Sequence, residues 1–176
     1  MRAAPAPKRG SREIILDAAE ALIREWGVNR MTLDAVAARA GLSKGGLLYH
    51  FPSKEALLKG MIGRFAGSLN AESPNSVAAR IADVRLSKLV STAEEHRASH
   101  GMLAAIAENP SLLDPIREAH GKLWDDIKRA EKDPDTALLV WLAVEGLCFF
   151  EMFQTSPLSL EERDRAIARL KALAAA

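Results

Sequence analysis

Cysteine, aromatic residues and long apolar runs are scarce in this chain of 176 residues, and the scarcity of cysteine and of apolar runs excludes several classes of protein. A single cysteine, Cys148, excludes an internal disulfide framework and a metal site built on clustered cysteines. The first ten residues contain no apolar stretch of the kind that a secretory signal needs. The longest apolar run, Ala137 to Phe150, is about 14 residues long, contains Glu145 and is too short to span a bilayer. These features predict a soluble, cytoplasmic protein that does not bind membranes.

Helix-forming sequence makes up most of the chain. Hydrophobic residues account for 48% and charged residues for 27%, as in an ordinary globular protein. Ala, Leu, Arg and Glu dominate, and no β-type alternation is evident, so helix is favoured over sheet. We therefore expect an all-α fold of about nine helices.

The net charge of +1 hides an asymmetry between the two ends of the chain. Residues 1–64 hold 11 Lys and Arg against 6 Asp and Glu, whereas residues 65–176 hold 13 against 17. A basic first third on an acidic remainder indicates that the N-terminal part meets a polyanion.

Turn-forming residues divide the chain into three predicted parts. Residues 1–10 contain prolines and basic residues without periodicity, which predicts a flexible basic arm. Residues 11–57 have the pattern of a small helical domain, with a connecting helix to about residue 69. A polar linker opens residues 70–176, a second helical domain in which we expect helices over Val77–Ser99 and Met102–Glu108, followed by three longer ones.

Two short helices in the first domain have the spacing of a helix-turn-helix. Thr32 is a good N-cap for a helix over Leu33–Ala40, and Ser43 for a second helix that ends near His50. Gly41 begins the three-residue connection, where it can take the left-handed conformation that a sharp turn demands.

The second short helix has a sequence that a partner would explain. Gly45 and Gly46 each cost roughly 1 kcal/mol relative to alanine in a helix interior, and close approach of another molecule is a common reason for such glycines. The side chains around them offer hydrogen-bond donors, a cation and a flat ring. They suit DNA phosphates and base edges, and they are Ser43, Lys44, Tyr49 and His50.

Lys54 supplies a separate indication of an anionic partner. It lies in the first turn of the next helix, where the helix dipole disfavours a cation and a bound phosphate would reverse that effect. The alternative interpretation is that Lys54 points into solvent and pairs with a nearby acid.

The run from Gly41 to Leu57, with Ser11–Gly27 and Met31–Ala37 before it, resembles the DNA-binding domain of the tetracycline-repressor (TetR) family of bacterial transcription regulators. The resemblance covers about residues 11–57. It implies that double-stranded DNA with a palindromic operator is the partner, bound by a homodimer. By position, Thr32 would touch a phosphate, Ser43, Lys44, Gly45 and Gly46 would face base edges or the adjoining backbone, and Tyr49, His50 and Lys54 would hold the sugar–phosphate chain.

The resemblance also implies that the second domain binds a small-molecule effector. Bulky, polarizable side chains are concentrated there, which suits an apolar or aromatic ligand, although plain core packing explains any one of them. The candidate ligand-binding residues are Met102, Trp124, Trp141, Glu145, Phe149 and Met152. Glu145 either pairs with an internal Arg or His, or serves as the counter-charge for a cationic ligand.

The helix predicted around residues 135–154 is apolar nearly all round, which indicates burial on two sides. With the last helix it could form a four-helix dimer interface, because Ala143 and Gly146 allow close helix approach. The candidate interface residues are Leu139, Ala143, Gly146, Phe150, Phe153, Leu160, Ile167 and Leu170.

His96 and His100 stand four residues apart, a spacing that can chelate a metal, but no third ligand is evident nearby. We expect no metal site and no cofactor. The sequence contains no nucleophile–base motif or phosphate-binding glycine loop, so an enzyme is the weakest interpretation. A ligand-responsive DNA-binding repressor is favoured, and a related DNA-binding protein controlled by a partner protein is the alternative.

Overall fold

The computed structural model describes residues 10–67, 76–86 and 93–175, and the regular structure in these ranges is entirely helical. The predicted all-α fold is confirmed, whereas the predicted basic arm lies outside the described residues except for Gly10. The α helices of the described ranges are α1 Ser11–Trp26, α2 Leu33–Ala40, α3 Lys44–His50, α4 Lys54–Gly67, α5 Val77–Leu86, α6 Ala93–Glu108, α7 Asp114–Ala130, α8 Pro134–Phe153 and α9 Leu160–Ala174. A short 3-10 helix, Pro110–Leu113, precedes α7.

Local capping signals determine where the short helices begin and end. The Thr32 hydroxyl accepts a hydrogen bond from the Ala35 backbone N–H at 3.2 Å, and the Ser43 hydroxyl accepts one from Gly46 at 3.1 Å. Gly41 ends α2 with a φ of +67°, in the left-handed region. The predicted bounds of α2 and α3 are therefore confirmed, since caps and glycine act through their immediate neighbours.

The predicted break between the helices Val77–Ser99 and Met102–Glu108 is wrong. α6 continues without a break from Ala93 through Gly101 to Glu108, and the described part of α5 is Val77–Leu86. A Cβ placed on Gly101 would lie 3.5 Å from the Cγ2 of Val28, so α6 packs closely on the α1–α2 connection at this glycine. Tertiary packing here outweighs the weak helix propensity of glycine.

Two apolar cores lie along the molecule. The first is built by α1 to α4 around residues such as Leu16, Leu47 and Leu57, and it also contains Leu112 of the 3-10 helix. Met102 of α6 packs against it from the side of the second domain. The second core is formed by α5, α7, α8 and α9.

Helix α4 packs tightly against the first domain. The Arg64 guanidinium donates to Asp17 and to Glu20 of α1, each at 2.6 Å. Nearer its start, Gly60 faces the buried ring of Phe51, and a Cβ on Gly60 would lie only 2.5 Å from the Phe51 Cε1. α4 therefore belongs to the same packed unit as α1 and α3.

Helix α8 is the one helix in the described part of the chain that is long and apolar enough to cross a membrane by length and composition. The prediction that this segment is too short to span a bilayer was wrong. It considered only the run from Ala137 to Phe150, whereas the whole helix has 20 residues. One side of α8 lies in the second core through Val140, Val144 and Leu147, and Glu145 is ion-paired. The helix is thus an integral part of a folded domain.

Candidate DNA-binding interface and effector region

Helix α3 is held from behind and exposed in front. Its inner residue Leu47 is fully buried in the first core together with Val36 and Ala37 of α2, which fixes the two helices against each other. On the outer side, Tyr49 is 86% exposed and Lys44 is also exposed. This is the arrangement by which a helix-turn-helix presents its second helix to the DNA major groove.

The two glycines at the start of α3 differ in their surroundings. Nothing lies within 4 Å of a Cβ placed on Gly45, whereas a Cβ on Gly46 would lie 3.3 Å from the Ser43 hydroxyl that caps the helix. Internal packing therefore does not explain Gly45, which supports the prediction that another molecule approaches the backbone there. At the other end of α3, the His50 and Tyr49 rings meet edge to face with centroids 5.2 Å apart.

Lys54 is bound to the protein itself. Its ammonium group donates to the backbone carbonyl of Val28 at 2.6 Å and of Asn29 at 3.3 Å, and burial lowers the pKa of the group. These two carbonyls take two of its three donors. The alternative interpretation of Lys54 as a solvated side chain paired with an acid is therefore wrong, and the predicted phosphate contact stays a prediction.

Asp34 is a functional candidate that the sequence analysis missed. It lies in the first turn of α2, and its carboxylate is 3.0 Å from the ammonium group of Lys44, the first residue of α3. An acid in the first turn of a helix is common, because it interacts favourably with the helix dipole. Only the folded turn shows that Asp34 faces the same surface as Lys44.

The structure does not bring the six candidate ligand-binding residues together. Trp124 and Trp141 pack against the second core, whereas Met102 packs against the first. Phe149 is 57% exposed on α8 and touches Phe153, with ring centroids 4.5 Å apart. Met152 is half-buried, and its carbonyl faces the Nε2 of His100 at 3.1 Å. The type of a side chain does not indicate which of these three environments it occupies, so the sequence could not distinguish them.

A polar cluster forms around Glu145 in the second domain. The Arg85 Nε donates to Glu145 Oε1 at 2.9 Å, and the Arg85 Nη2 donates to the other carboxylate oxygen. The prediction that Glu145 pairs with an internal arginine or histidine is confirmed. Beyond Glu145, the guanidinium of Arg85 also lies over the ring of Phe65 on α4, 5.0 Å from its centroid.

His120 and Trp141 adjoin this ion pair. Their rings meet edge to face with centroids 5.2 Å apart. Burial lowers the pKa of His120, the carboxylate of Glu145 opposes that shift, and the charge of Arg85 adds to it. The Nε1 of Trp141 is buried and has no hydrogen-bond partner, which leaves a donor facing the interior of the domain.

The outer side of α8 and the adjoining side of α9 are apolar and uncovered. Leu139 is 66% exposed and Leu160 is 71% exposed. Between the two helices lies a groove of about 430 Å³, lined by Ala143, Gly146, Leu147, Phe150, Ala166, Arg169 and Leu170. Of the other predicted interface residues, Phe153 is half-buried, and Ile167 and Leu170 pack partly against the second core.

No group of three potential metal ligands occurs among the residues that the structure describes. His100 is exposed, and the His96 side chain lies outside the described residues. Cys148 is half-buried, and burial raises the pKa of its thiol, as in a cysteine that packs as a small hydrophobe.

A helix-turn-helix domain joined to a second helical domain is an architecture found in DNA-binding transcription regulators. Residues 15–61 match the family model described as "Bacterial regulatory proteins, tetR family", and residues 76–175 match "Tetracyclin repressor-like, C-terminal domain". The chain therefore belongs to the TetR family. Members of this family are transcription regulators rather than enzymes.

Individual relatives agree with this assignment. The transcriptional repressor BepR of Brucella suis biovar 1 (strain 1330) is 41% identical over 64 residues, which span 36% of this chain and 31% of BepR. A transcriptional regulator from Streptomyces coelicolor A3(2) has the same fold with a TM-score of 0.63 and 23% identity, covering 94% of this chain and 99% of the other. The multidrug binding protein EbrR, solved with ethidium, also superposes with a TM-score of 0.63, at 21% identity over 94% of this chain and 99% of EbrR.

Proposed function

We propose that this protein is a ligand-responsive repressor of transcription in the cytoplasm. It binds a palindromic operator as a homodimer and is released by a small apolar or aromatic effector. The outward face of α3 is the observation that carries the proposal, because its donors, its cation and its open glycine are held rigidly by a buried inner side. The relation to the repressor BepR supports repression over activation.

The DNA contacts divide by chemistry. Thr32, Tyr49, His50 and the remaining donor of Lys54 would bind the sugar–phosphate chain, while Ser43 to Gly46 would face the base edges. Phosphate contacts release condensed counterions, so binding should weaken steeply as salt is added.

The uncovered faces of α8 and α9 would form the dimer. Two copies packed through Leu139, Ala143, Gly146, Phe150 and Leu160 would bury apolar surface that a monomer leaves in water. Phe153, Ile167 and Leu170 would complete a four-helix interface. Such a dimer can present two α3 helices about 34 Å apart, one turn of DNA.

The effector would bind beside the Arg85–Glu145 pair. The Trp141 N–H has no hydrogen-bond partner, so the ligand would carry an acceptor such as a carbonyl oxygen. The rings of Trp124 and Trp141 offer flat apolar surface, so the ligand would also be planar. Because Glu145 is already neutralised by Arg85, a cation such as the ethidium bound by EbrR would have to displace the arginine.

Selection from random DNA duplexes, with light scattering on the same sample, tests the DNA and dimer proposals together. We expect a dimer that enriches a palindrome with half-sites about one turn apart. Leu139→Glu should give a folded monomer that loses the palindrome, whereas Ala104→Glu, at an exposed position on α6, should change neither. A folded wild-type protein that enriches no sequence would contradict the proposal.

Tryptophan fluorescence tests the effector site with two probes, flavone as a neutral planar ketone and ethidium as a planar cation. Flavone should quench the fluorescence and release DNA, and Trp141→Phe should weaken both effects while leaving DNA binding intact. Glu145→Gln should leave flavone binding largely unchanged. If neither probe, nor any other aromatic ligand, alters DNA binding, control by a protein partner becomes the better explanation.

A further inference from the structure

The DNA-facing surface carries a carboxylate where a polyanion is expected to bind. The Asp34 Oδ1 lies 3.0 Å and its Oδ2 lies 3.1 Å from the Lys44 Nζ, and both side chains are more than half exposed. The capping residues Thr32 and Ser43, which the family resemblance places against DNA, precede Asp34 and Lys44 by two residues and one residue.

The fold does not need this ion pair. An ion pair as exposed as this one contributes little to stability. Helices α2 and α3 are already held together by the buried side chains of Val36 and Leu47 and by the left-handed Gly41. The two-pronged contact between Arg39 and Glu25, at 2.7 and 2.8 Å, separately ties α2 to α1.

A carboxylate at this place would repel phosphates, so the group that faces it on DNA should be a donor. Among the major-groove edges, the N4 amino group of cytosine is the donor that Asp and Glu accept from, and guanine O6 and N7 are the acceptors that Lys and Arg contact. In a G·C pair, the cytosine N4 and guanine O6 are hydrogen-bonded to each other and thus about 3 Å apart. Asp34 and Lys44 present the complementary acceptor and donor at the same separation.

We infer that Asp34 is a specificity-determining residue, which together with Lys44 reads a G·C base pair in the major groove. The Asp34 carboxylate accepts from the cytosine amino group, and the Lys44 ammonium donates to guanine. This inference rests on the proposed orientation of α3 on DNA. It assigns Asp34 a role in sequence choice rather than in overall affinity.

Selection from a random duplex library, carried out with the wild-type full chain and three variants, tests the inference. Asp34→Ala should reduce the preference for the G·C pair at one position of each half-site by about tenfold and leave the other positions unchanged. Asp34→Asn should shift that position toward A·T, because the side chain of asparagine matches adenine. Asp125→Asn is the matched control, since Asp125 forms a similar exposed pair with Lys128 at 2.8 Å on α7.

The outcomes separate this inference from the proposed function. If the wild-type protein selects a motif and both Asp34 variants select the same one, Asp34 is not a specificity residue. A uniform rise in affinity for every sequence, with no change in preference, would likewise overturn the inference and leave a purely electrostatic effect. If the wild-type protein selects no motif, the proposed function fails and the inference fails with it.

Discussion

The two domains place their apolar residues differently. In the first domain, Leu16, Leu47 and Leu57 are fully buried in a core that fixes four helices, of which α2 and α3 are short and begin at side-chain caps. In the second domain, α8 places Leu139, Leu142 and Phe149 in solvent although it is the most apolar helix of the described chain. The first domain buries these residues within one copy, whereas the second leaves exposed the apolar surface that the proposed dimer would cover.

From this difference we expect the two domains to respond differently to substitution. A binding surface that must fit DNA needs side chains held in one geometry, so its supporting core is closely packed around small residues such as Gly60. The second domain leaves polar groups and apolar faces available, as the proposed effector and partner subunit would require. The following predictions test this contrast, from the largest expected effect to the smallest.

Gly60→Ala and Gly121→Ala should have opposite effects on stability. The new methyl group at residue 60 would clash with the buried Phe51 ring, and overpacking of this kind typically costs about 1–3 kcal/mol. Residue 121 lies exposed in α7 with nothing within 4 Å of a Cβ, so alanine there should stabilise by up to about 1 kcal/mol. Urea unfolding of both variants measures this difference, and equal effects would refute the contrast in packing.

Ser43→Ala and Ser159→Ala compare the two domains through the same chemical change. Each serine caps a helix, and Ser159 also forms a reciprocal capping box with Glu162, so each change should cost about 1 kcal/mol. Only Ser43→Ala should also weaken DNA binding, because Ser43 lies on the proposed DNA surface. Equal loss of DNA affinity in both variants would show that the effect comes from stability alone.

His120 should make the second domain sensitive to mild acid. Its pKa is lowered in the folded protein from the ordinary value of 6.5, so the unfolded chain binds the proton first as the pH falls. The stabilising contribution is therefore complete above pH 6.5 and is lost as the pH falls toward the lowered value. The charged groups facing the ring are Glu145, which favours protonation, and Arg85, which opposes it.

Unfolding free energies at about pH 7.5 and about pH 5.5 measure this effect. The His120→Gln variant should lose less stability between the two values than the wild type does. His50→Gln is the matched histidine control, because His50 lies on the first domain at the proposed DNA surface. An identical loss in the wild type and in His120→Gln would contradict the assignment.

The features that the sequence predicted correctly are local ones. Thr32, Gly41 and Ser43 act on residues within one turn, so their positions along the chain were enough to set the bounds of α2 and α3. The general helical character of the second domain followed from composition. Its helix boundaries were less accurate, because Gly101, which the sequence placed at a break, lies within α6 where that helix packs on Val28.

The missed features join residues that are distant along the chain. The sequence predicted a basic partner for Glu145 but could not identify Arg85, which is 60 residues away, and Lys54 reaches the carbonyl of Val28 across 26 residues. Asp34 is closer to Lys44, but only the turn between two helices brings their charges together. Each of these pairs joins residues on different elements, so no pattern within a single helix could predict it.

The position of α4 between the two domains has a mechanical consequence. Near its last described residues, Phe65 lies under Arg85 of the second domain, whereas Lys54 at its start and Gly60 in its middle lie against the first domain. As a rod of 14 residues it is about 20 Å long, so a tilt of about 5° moves its far end by about 2 Å. That displacement exceeds half of the 3.4 Å step between stacked base pairs. Because α4 and α3 belong to one packed unit, a tilt of α4 relative to the second domain would carry α3 with it, out of register with an operator, while every helix keeps its shape.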